Sequence, residues 1–377
     1  MSIQNTNHDN SARSARGAKG LPGKYVTSPA IEALEAERIF DQRWICVARV
    51  EELDPTSDCL PIQVGNRGLF LTRDEHGTIR AFSNFCRHRG SQLVNASNCA
   101  QMGKRIQCPY HAWTYDRAGK LISAPNMSDL EGFELADHGL LEFACESYAG
   151  FVWVNFKPQQ RLTSYLAPLA DQLQDWQVAN LRIAKTLTYE VQANWKLIFQ
   201  NYSECYHCPS VHPALNRLTP YRGSSNDLDS GPILGGPMSL SDDSQTMSSD
   251  GKFAGLPIAG LRDEQLRSVH YFTLFPTMFL SLHPDYVLTH RLEPTSTRST
   301  KVVCQFLFHP EALQSHAFHP DLAYEFWDLT NRQDWKVCEL AQIGMSDPNY
   351  VPGPYSNLES VLAAFDQHYL ETLEHND

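Results

Sequence analysis

At 377 residues the chain has room for two domains, each with its own core, and its 42% hydrophobic and 20% charged residues are ordinary for a soluble globular protein. A formal charge of −12 excludes the broad positive field that nucleic acids or anionic membranes require, and leaves a positively charged substrate or partner open. Nothing approaches the run of about 18 apolar residues that would span a membrane, and the polar N-terminus (Asn5, Thr6, Asn7, Asp9, Asn10) lacks the apolar centre of a secretion signal, so the cytoplasm is the expected location.

Residues 1–20 read as a disordered tail. Within 21–43, Ser28 is a good helix N-cap before Pro29, with Glu32 and Glu35 favouring the first turns, so a helix is expected through Ile31 and Leu34 toward Phe40, packing on the C-terminal domain. Residues 44–157 form a β-rich domain: Gly68–Arg73 and Thr78–Phe82 flank Asp74-Glu75-His76-Gly77 as a hairpin, and Gly150–Phe156 is a closing strand. Lys157-Pro158-Gln159-Gln160 is a linker. Residues 162–377 are α plus β, with strands expected at Thr186–Gln192, Tyr271–Leu282, Val287–Arg291 and Lys301–Phe308, and a helix from near Asp321 past Glu339. Between them, residues 221–262 are rich in Gly, Ser, Asp and Pro; a segment this long and irregular suits a lid over a site.

Ten cysteines in a chain without a secretion signal point to reduced thiols and metal ligands before a disulfide framework. Cys86-Arg87-His88-Arg89-Gly90 is followed, with 19 residues between His88 and Cys108, by Cys108-Pro109-Tyr110-His111-Ala112-Trp113. Two loops each offering one thiolate and one imidazole could hold tetrahedral zinc, or a [2Fe–2S] cluster with two Cys on one iron and two His on the other. The neighbours Arg87, Gly90 and Pro109-Tyr110 resemble the Rieske motif. That resemblance makes Cys86, His88, Cys108 and His111 the expected cluster ligands, with Cys99 a bystander in an insertion around Asn95–Gly103.

Downstream, Asn194-Trp195-Lys196-Leu197-Ile198-Phe199-Gln200-Asn201-Tyr202-Ser203-Glu204-Cys205-Tyr206-His207-Cys208-Pro209-Ser210-Val211-His212 sets a carboxylate and two histidines in an apolar, aromatic context. Asn194 is an N-cap for a helix expected over Trp195–Tyr206, where Asn201, Glu204 and His207 at three-residue spacing share a face. His207 and His212 would diverge by roughly 140° on an ideal helix, and Pro209 is the expected cause of a distortion that brings them together. Two histidines and one carboxylate make a facial triad for ferrous iron with open coordination positions. Asp334, Asp328, Glu325, Glu339 and Asp347 are all available as the acid. Cys205 and Cys208 could be redox-active or zinc-binding but are expected to pack as reduced thiols. His270, His283, His290, His309, His316 and His319 are expected to be structural or exposed.

Asn-x-x-Glu-x-x-His-x4-His downstream of a Rieske motif resembles the catalytic signature of Rieske non-haem iron oxygenase α subunits, over essentially the whole chain after the tail. The resemblance implies an α+β protein: an all-β Rieske [2Fe–2S] domain followed by a helix-grip (START-like) catalytic domain with an antiparallel sheet. It implies His207 and His212 as ligands of mononuclear Fe(II), Asp334 as the third ligand, Glu204 as the bridge to a neighbouring subunit's Rieske histidine, and Asn201 at the edge of the iron site. It further implies O2 as co-substrate, a homotrimer, and electrons from NAD(P)H through a separate flavin/iron–sulfur reductase.

Glu204 within Glu-Cys-Tyr-His, together with the C-terminal Gln-Asp-Trp and Gly-Pro-Tyr-Ser patterns, is similar to the oxygenases of quaternary ammonium compounds such as glycine betaine and carnitine. N-methyl monooxygenation with demethylation is therefore the expected reaction, with Tyr202, Tyr206, Tyr271, Phe272, Phe275 and Phe279 as candidate aromatic walls for a cation. Ring hydroxylation of an aromatic compound is the alternative reaction, and a non-catalytic Rieske electron carrier the alternative of a different class.

Overall fold

The computed structural model describes residues 17–53, 59–97, 99 and 103–374. The chain divides into two compact units, one made of residues up to Ile39 together with Leu166–Asp377, the other of Phe40–Tyr165. No helix among the described residues is long and apolar enough to cross a membrane.

Most of the expected tail lies outside the described residues, yet its last part is ordered: Lys19 bridges Pro354, and Gly20 N–H donates to Gly353 O at 3.0 Å. Helix α1, Pro29–Glu35, starts where Ser28 and Pro29 predict, but its last turn widens to a π-turn over Ala36–Phe40.

The Phe40–Tyr165 unit is all β. Strands β1 (Ile45–Arg49), β2 (Cys59–Val64), β3 (Arg67–Arg73), β4 (Ile79–Ser83), β8 (Glu142–Tyr148) and β9 (Phe151–Asn155) form one sheet in the order β1-β9-β8-β4-β3-β2. The expected hairpin is β3–β4, its turn fixed by Asp74, whose carboxylate accepts from the backbone N–H groups of His76 and Thr78. A smaller sheet, β5 (Arg105–Gln107), β6 (Thr114–Asp116) and β7 (Leu121–Ser123), carries the second Cys/His loop between β5 and β6. Phe70, Phe82, Trp113 and Tyr115 fill the core, and Cys86 and Cys108 are buried within it.

The larger unit is built on a six-stranded antiparallel sheet in the order β10-β15-β14-β13-β12-β11. Strand β10 is Arg182–Val191, β14 is Val287–Ser296 and β15 is Ser299–Phe308. The expected run Tyr271–Leu282 is two strands, β12 (Ser268–Leu274) and β13 (Met278–Leu282), because Phe275-Pro276 turns the chain between them. Segment 221–262 is not irregular throughout: Ile233–Ser239 is edge strand β11, paired with β12. Period-2 patterning is masked there by Gly235, Gly236 and Pro237. A Cβ on Gly235, whose φ is +128°, would lie 2.0 Å from Tyr271 O, and one on Gly236 would lie 2.2 Å from Ser225 O, so only glycines permit these approaches.

Four helices frame the functional side chains. They are α2 (Trp195–Tyr202), α3 (Cys208–Val211), α4 (Pro213–Leu218) and the long α5 (Asp321–Met345), with α6 (Ser360–Glu374) completing the unit. The Asn194 side chain caps α2 by accepting from Lys196 N–H, as expected. Buried Lys196 pairs with buried Glu35 at 2.5 Å, and Glu35 also accepts from Trp195 Nε1 and Tyr369 Oη, which ties α1, α2 and α6 together.

Candidate metal centres and substrate cavity

In the smaller unit, the two Cys/His loops are built alike. Gly90 N–H donates to Cys86 O and Ala112 N–H to Cys108 O, in each case four residues on, and both donors have left-handed backbone (φ +70° and +57°). Glycine suits this conformation; Ala112 adopts it at a cost in strain. The loops present a thiol pair and an imidazole pair. Cys86 and Cys108 are buried neighbours, and the rings of His88 and His111 lie 4.7 Å apart.

Burial, above all, pushes the Cys86 thiol up and pulls His88 down. Tyr115 Oη, which accepts from Arg87 N–H, is 3.2 Å from Cys86 Sγ. His88 Nδ1 is buried without a hydrogen-bond partner, and Trp113 stacks on the same ring at 4.8 Å. An orphaned buried ring nitrogen, on a loop pair that also brings two buried thiols together, fits a two-iron cluster held by both residue types.

In the larger unit, α2 ends at Tyr202, so the helix expected to reach Tyr206 stops four residues early and Glu204 and His207 lie beyond it. Ser203 is the C-cap, and Glu204 then accepts from the backbone N–H groups of Tyr206 and His207, turning the chain. The break comes well before Pro209, which instead sits in the first turn of the short helix α3. It nonetheless sets the rings of His207 and His212 5.2 Å apart.

Asp334, on α5, lies with its Oδ1 2.7 Å from His212 Nε2 and 3.3 Å from His207 Nε2. Among the described residues, His207, His212 and Asp334 are the group whose ligand atoms come within 4.8 Å of one another, close enough for one ion. The other acids are engaged elsewhere or exposed: Asp328 accepts from Tyr189 and Arg332, Glu339 from Gln192 N–H, Asp347 from Asn349 N–H, and Glu325 faces solvent.

The electrostatics suit a cation. Burial works to raise the Asp334 carboxyl, but hydrogen bonds from His207 and His212 outweigh it and hold it below the usual carboxylate range. Burial works to lower His207, but its hydrogen bonds to Asp334 and Glu204 push it up to about 10. Glu204 Oε1 lies 2.5 Å from His207 Nδ1 and Gln333 Oε1 2.8 Å from His212 Nδ1, so each ring nitrogen turned from Asp334 has an oxygen partner. Gln333 stands in the Gln-Asp-Trp pattern of the resemblance, but its contact with a ring 121 positions away is not readable from that pattern.

Above the triad lies a cavity walled by α2, α5, β11 and β12. Tyr202, Tyr206 and Tyr271 line it, as do Asn201 and Glu204. Phe272, Phe275 and Phe279 do not. Phe272 lies on the opposite face of β12 from Tyr271, Phe275 packs on Trp195, and Phe279 stacks beneath Tyr202 at 4.2 Å. Tyr221 and Trp327 line it instead; both were missed because neither lies near a motif. Trp327 is held in place through Nε1 donating to Tyr286 Oη at 2.7 Å, which in turn donates to Met247 O.

Segment 221–262 lines this cavity, as a cover over the site must. It contributes Tyr221, Ser224, Asn226 and Leu234, and its second half is pinned by buried Asp285, which accepts from Thr246 Oγ1 and from the N–H groups of Ala254 and Gly255. A second hollow, lined by Leu197, Gln200, Val337, Cys338 and Tyr355, also reaches Asn201, Glu204 and His207. Cys205 and Cys208, expected as reduced thiols, are joined in a disulfide: the turn after Glu204 brings side chains three apart into bonding reach, while no disulfide joins the other eight described cysteines. His283 and His290 are buried, whereas His316 and His319 are exposed.

Residues 43–134 match the family described as the Rieske [2Fe-2S] domain, and residues 178–375 the catalytic domain of the ring hydroxylating alpha subunit. The chain is 31% identical to the glycine betaine monooxygenase oxygenase subunit of Chromohalobacter salexigens, over 91% of this chain and 83% of that one. It is 33% identical to the carnitine monooxygenase oxygenase subunit of Escherichia coli K12, over 52% of this chain and 53% of that one. Among solved structures, the quaternary ammonium Rieske monooxygenase CntA in complex with L-carnitine superposes with a TM-score of 0.76 at 24% identity, covering 98% of this chain and 99% of that one. Naphthalene 1,2-dioxygenase from Rhodococcus sp. also gives 0.76, at 20% identity over 98% and 97% of the two chains. With a [2Fe–2S] domain and a mononuclear-iron catalytic domain on one polypeptide, the chain belongs to the family of Rieske non-haem iron oxygenase α subunits.

Proposed function

We propose that this oxygenase removes a methyl group from a quaternary ammonium substrate, with Cys86, His88, Cys108 and His111 holding the [2Fe–2S] cluster and His207, His212 and Asp334 holding the iron. One observation carries the substrate class: the cavity over the triad is walled by Tyr202, Tyr206, Tyr221, Tyr271 and Trp327, with Glu204 and Asp334 as its charged residues. Aromatic faces and carboxylates stabilise a methylated ammonium, whose charge cannot be satisfied by hydrogen bonds. The names of the glycine betaine and carnitine relatives support the same class.

The net reaction is a trimethylammonium with O2, two electrons and two protons giving an N-hydroxymethyl ammonium and water; the adduct then loses formaldehyde and a proton to leave the dimethylamine. Bound iron and cluster supply oxygen activation and stored electrons. The chain's own residues orient and exclude: the aromatic wall turns a methyl group toward the triad, Gln333 and Glu204 fix the tautomers of His212 and His207 so that each Nε2 faces Asp334, and burial limits water.

Asn201 and Glu204 border both the cavity and the second hollow. That placement supports Glu204 as the link to a cluster delivered by a neighbouring subunit, and hence a homotrimer fed by a separate flavin/iron–sulfur reductase drawing on NAD(P)H. The test is oxygen uptake and formaldehyde release by the purified protein with a reductase, using methylammonium compounds against a panel of aromatic acids. Formaldehyde in proportion to oxygen is expected. Uptake on an aromatic with no formaldehyde from any methylammonium compound would overturn the proposal.

A further inference from the structure

One wall of the cavity carries chemistry that the methyl-oxidising site itself does not use. The reacting methyl group must face His207, His212 and Asp334, which leaves the other end of the substrate to the remaining lining residues, among them those of the segment that runs along β11. That segment is held by backbone pairing: Ser225 N–H donates to Pro237 O, and Leu228 and Gly235 exchange N–H···O bonds of 2.9 and 2.8 Å. The close approach exists because Gly236 has no Cβ to meet Ser225 O.

It sets Ser224 and Asn226 against the cavity, both half-buried, and the Asn226 amide has no hydrogen-bond partner among the described residues. Among the described residues that line the cavity there is no lysine or arginine. Arg222 lies next to the lining residue Tyr221, but it is exposed, donates from Nε to Tyr221 Oη at 2.9 Å and stacks over that ring at 5.3 Å.

We infer that the substrate is a cation with an uncharged polar far end, a hydroxyl or ester, and not a zwitterion with a carboxylate there. The inference rests on the reading of the cavity as a quaternary ammonium site. A carboxylate taken from water into a cavity whose polar groups away from the triad and Glu204 are neutral amides and hydroxyls loses hydration with no cation to offset it, whereas a hydroxyl is matched by Asn226 and Ser224. Specificity then comes from what the wall withholds as much as from what it offers.

Equilibrium binding to the full-length, metal-loaded protein, followed by calorimetry without reductant or oxygen, tests this with four probes: choline, glycine betaine, tetramethylammonium and uncharged 3,3-dimethylbutan-1-ol. Choline is expected to bind at least about 10-fold more tightly than glycine betaine. Asn226→Lys should narrow or invert that ratio while leaving tetramethylammonium within about 3-fold, and Arg222→Gln should leave the glycine betaine Kd unchanged. Glycine betaine binding as tightly as choline, or weakening on Arg222→Gln, overturns the neutral-end inference and leaves the cation site standing. If 3,3-dimethylbutan-1-ol binds as well as choline, or no methylammonium probe binds, the cation site itself falls and the inference with it. The wild-type ratio decides the matter even where Asn226→Lys does not fold.

Discussion

The Nδ1–H of His212 donates to Oε1 of Gln333 at 2.8 Å, one residue before Asp334 on the same helix. A single turn of α5 therefore supplies both an acid of the candidate iron site and the group that fixes the tautomer of one of its imidazoles. Gln333→Leu removes the acceptor without adding charge. Iron affinity, measured by metal competition, is expected to fall by about 10- to 100-fold. Unchanged affinity would show that the contact does not set the ring.

Glu204 accepts from His207 on one side and borders the second hollow on the other. Glu204→Gln keeps an oxygen for His207 but loses the charge. Both metals should remain bound by metal analysis, while coupled turnover drops by about 100-fold. Normal turnover would remove Glu204 from the electron path.

Tyr115 Oη receives the Arg87 N–H, so its own hydrogen is directed to Cys86 Sγ. A hydrogen bond to a cluster sulfur stabilises the reduced, more negative state. Tyr115→Phe should therefore lower the reduction potential in an EPR-monitored titration, by tens of millivolts. A rise, or no change, would mean the hydroxyl is turned elsewhere.

Asp285 is fully buried, and burial pushes its carboxyl up to about 6 despite hydrogen bonds from Thr246, Ala254 and Gly255. Because the folded state holds this proton more tightly than the unfolded chain, the folded state binds more protons between pH 3.8 and about 6. Stability attributable to this group therefore falls as pH rises through that window. Asp285→Asn should abolish this share, so the variant gains relative to the parent from pH 4 to 6, on the order of 2 to 3 kcal/mol. Parallel denaturation curves at each pH provide the measurement, and a constant difference would count against it.

How much of this was legible in advance depended on distance along the chain. The β3–β4 hairpin, the α2 cap at Asn194 and the candidate ligands around Cys86, Cys108 and His207 lie within short windows, where spacing and local hydrogen bonds carry the information. Strand β11 was hidden, because glycines needed for backbone contact with Ser225 and Tyr271 erase the alternation that marks a strand. The cavity roles of Trp327 and Tyr221 and the contact of Gln333 with His212 were hidden for another reason. Their roles arise only when α5 is laid against the sheet and the 203–212 turn. The end of α2 at Tyr202 was misplaced because Pro209 is the stronger breaker by type, yet the Glu204 carboxylate, by binding two backbone N–H groups, ended the helix first.

The two walls of the cavity have different mechanical standing. Trp327, Thr330, Gln333 and Asp334 ride on one 25-residue helix, so a shift of α5 alters the metal grip and the inner wall together. Ser224, Asn226 and Leu234 belong to the edge strand and the segment beside it, on a wall that shares no residue with the triad. Descendants of this chain can therefore retool what they accept by changing the outer wall alone, while the oxygen chemistry is inherited untouched.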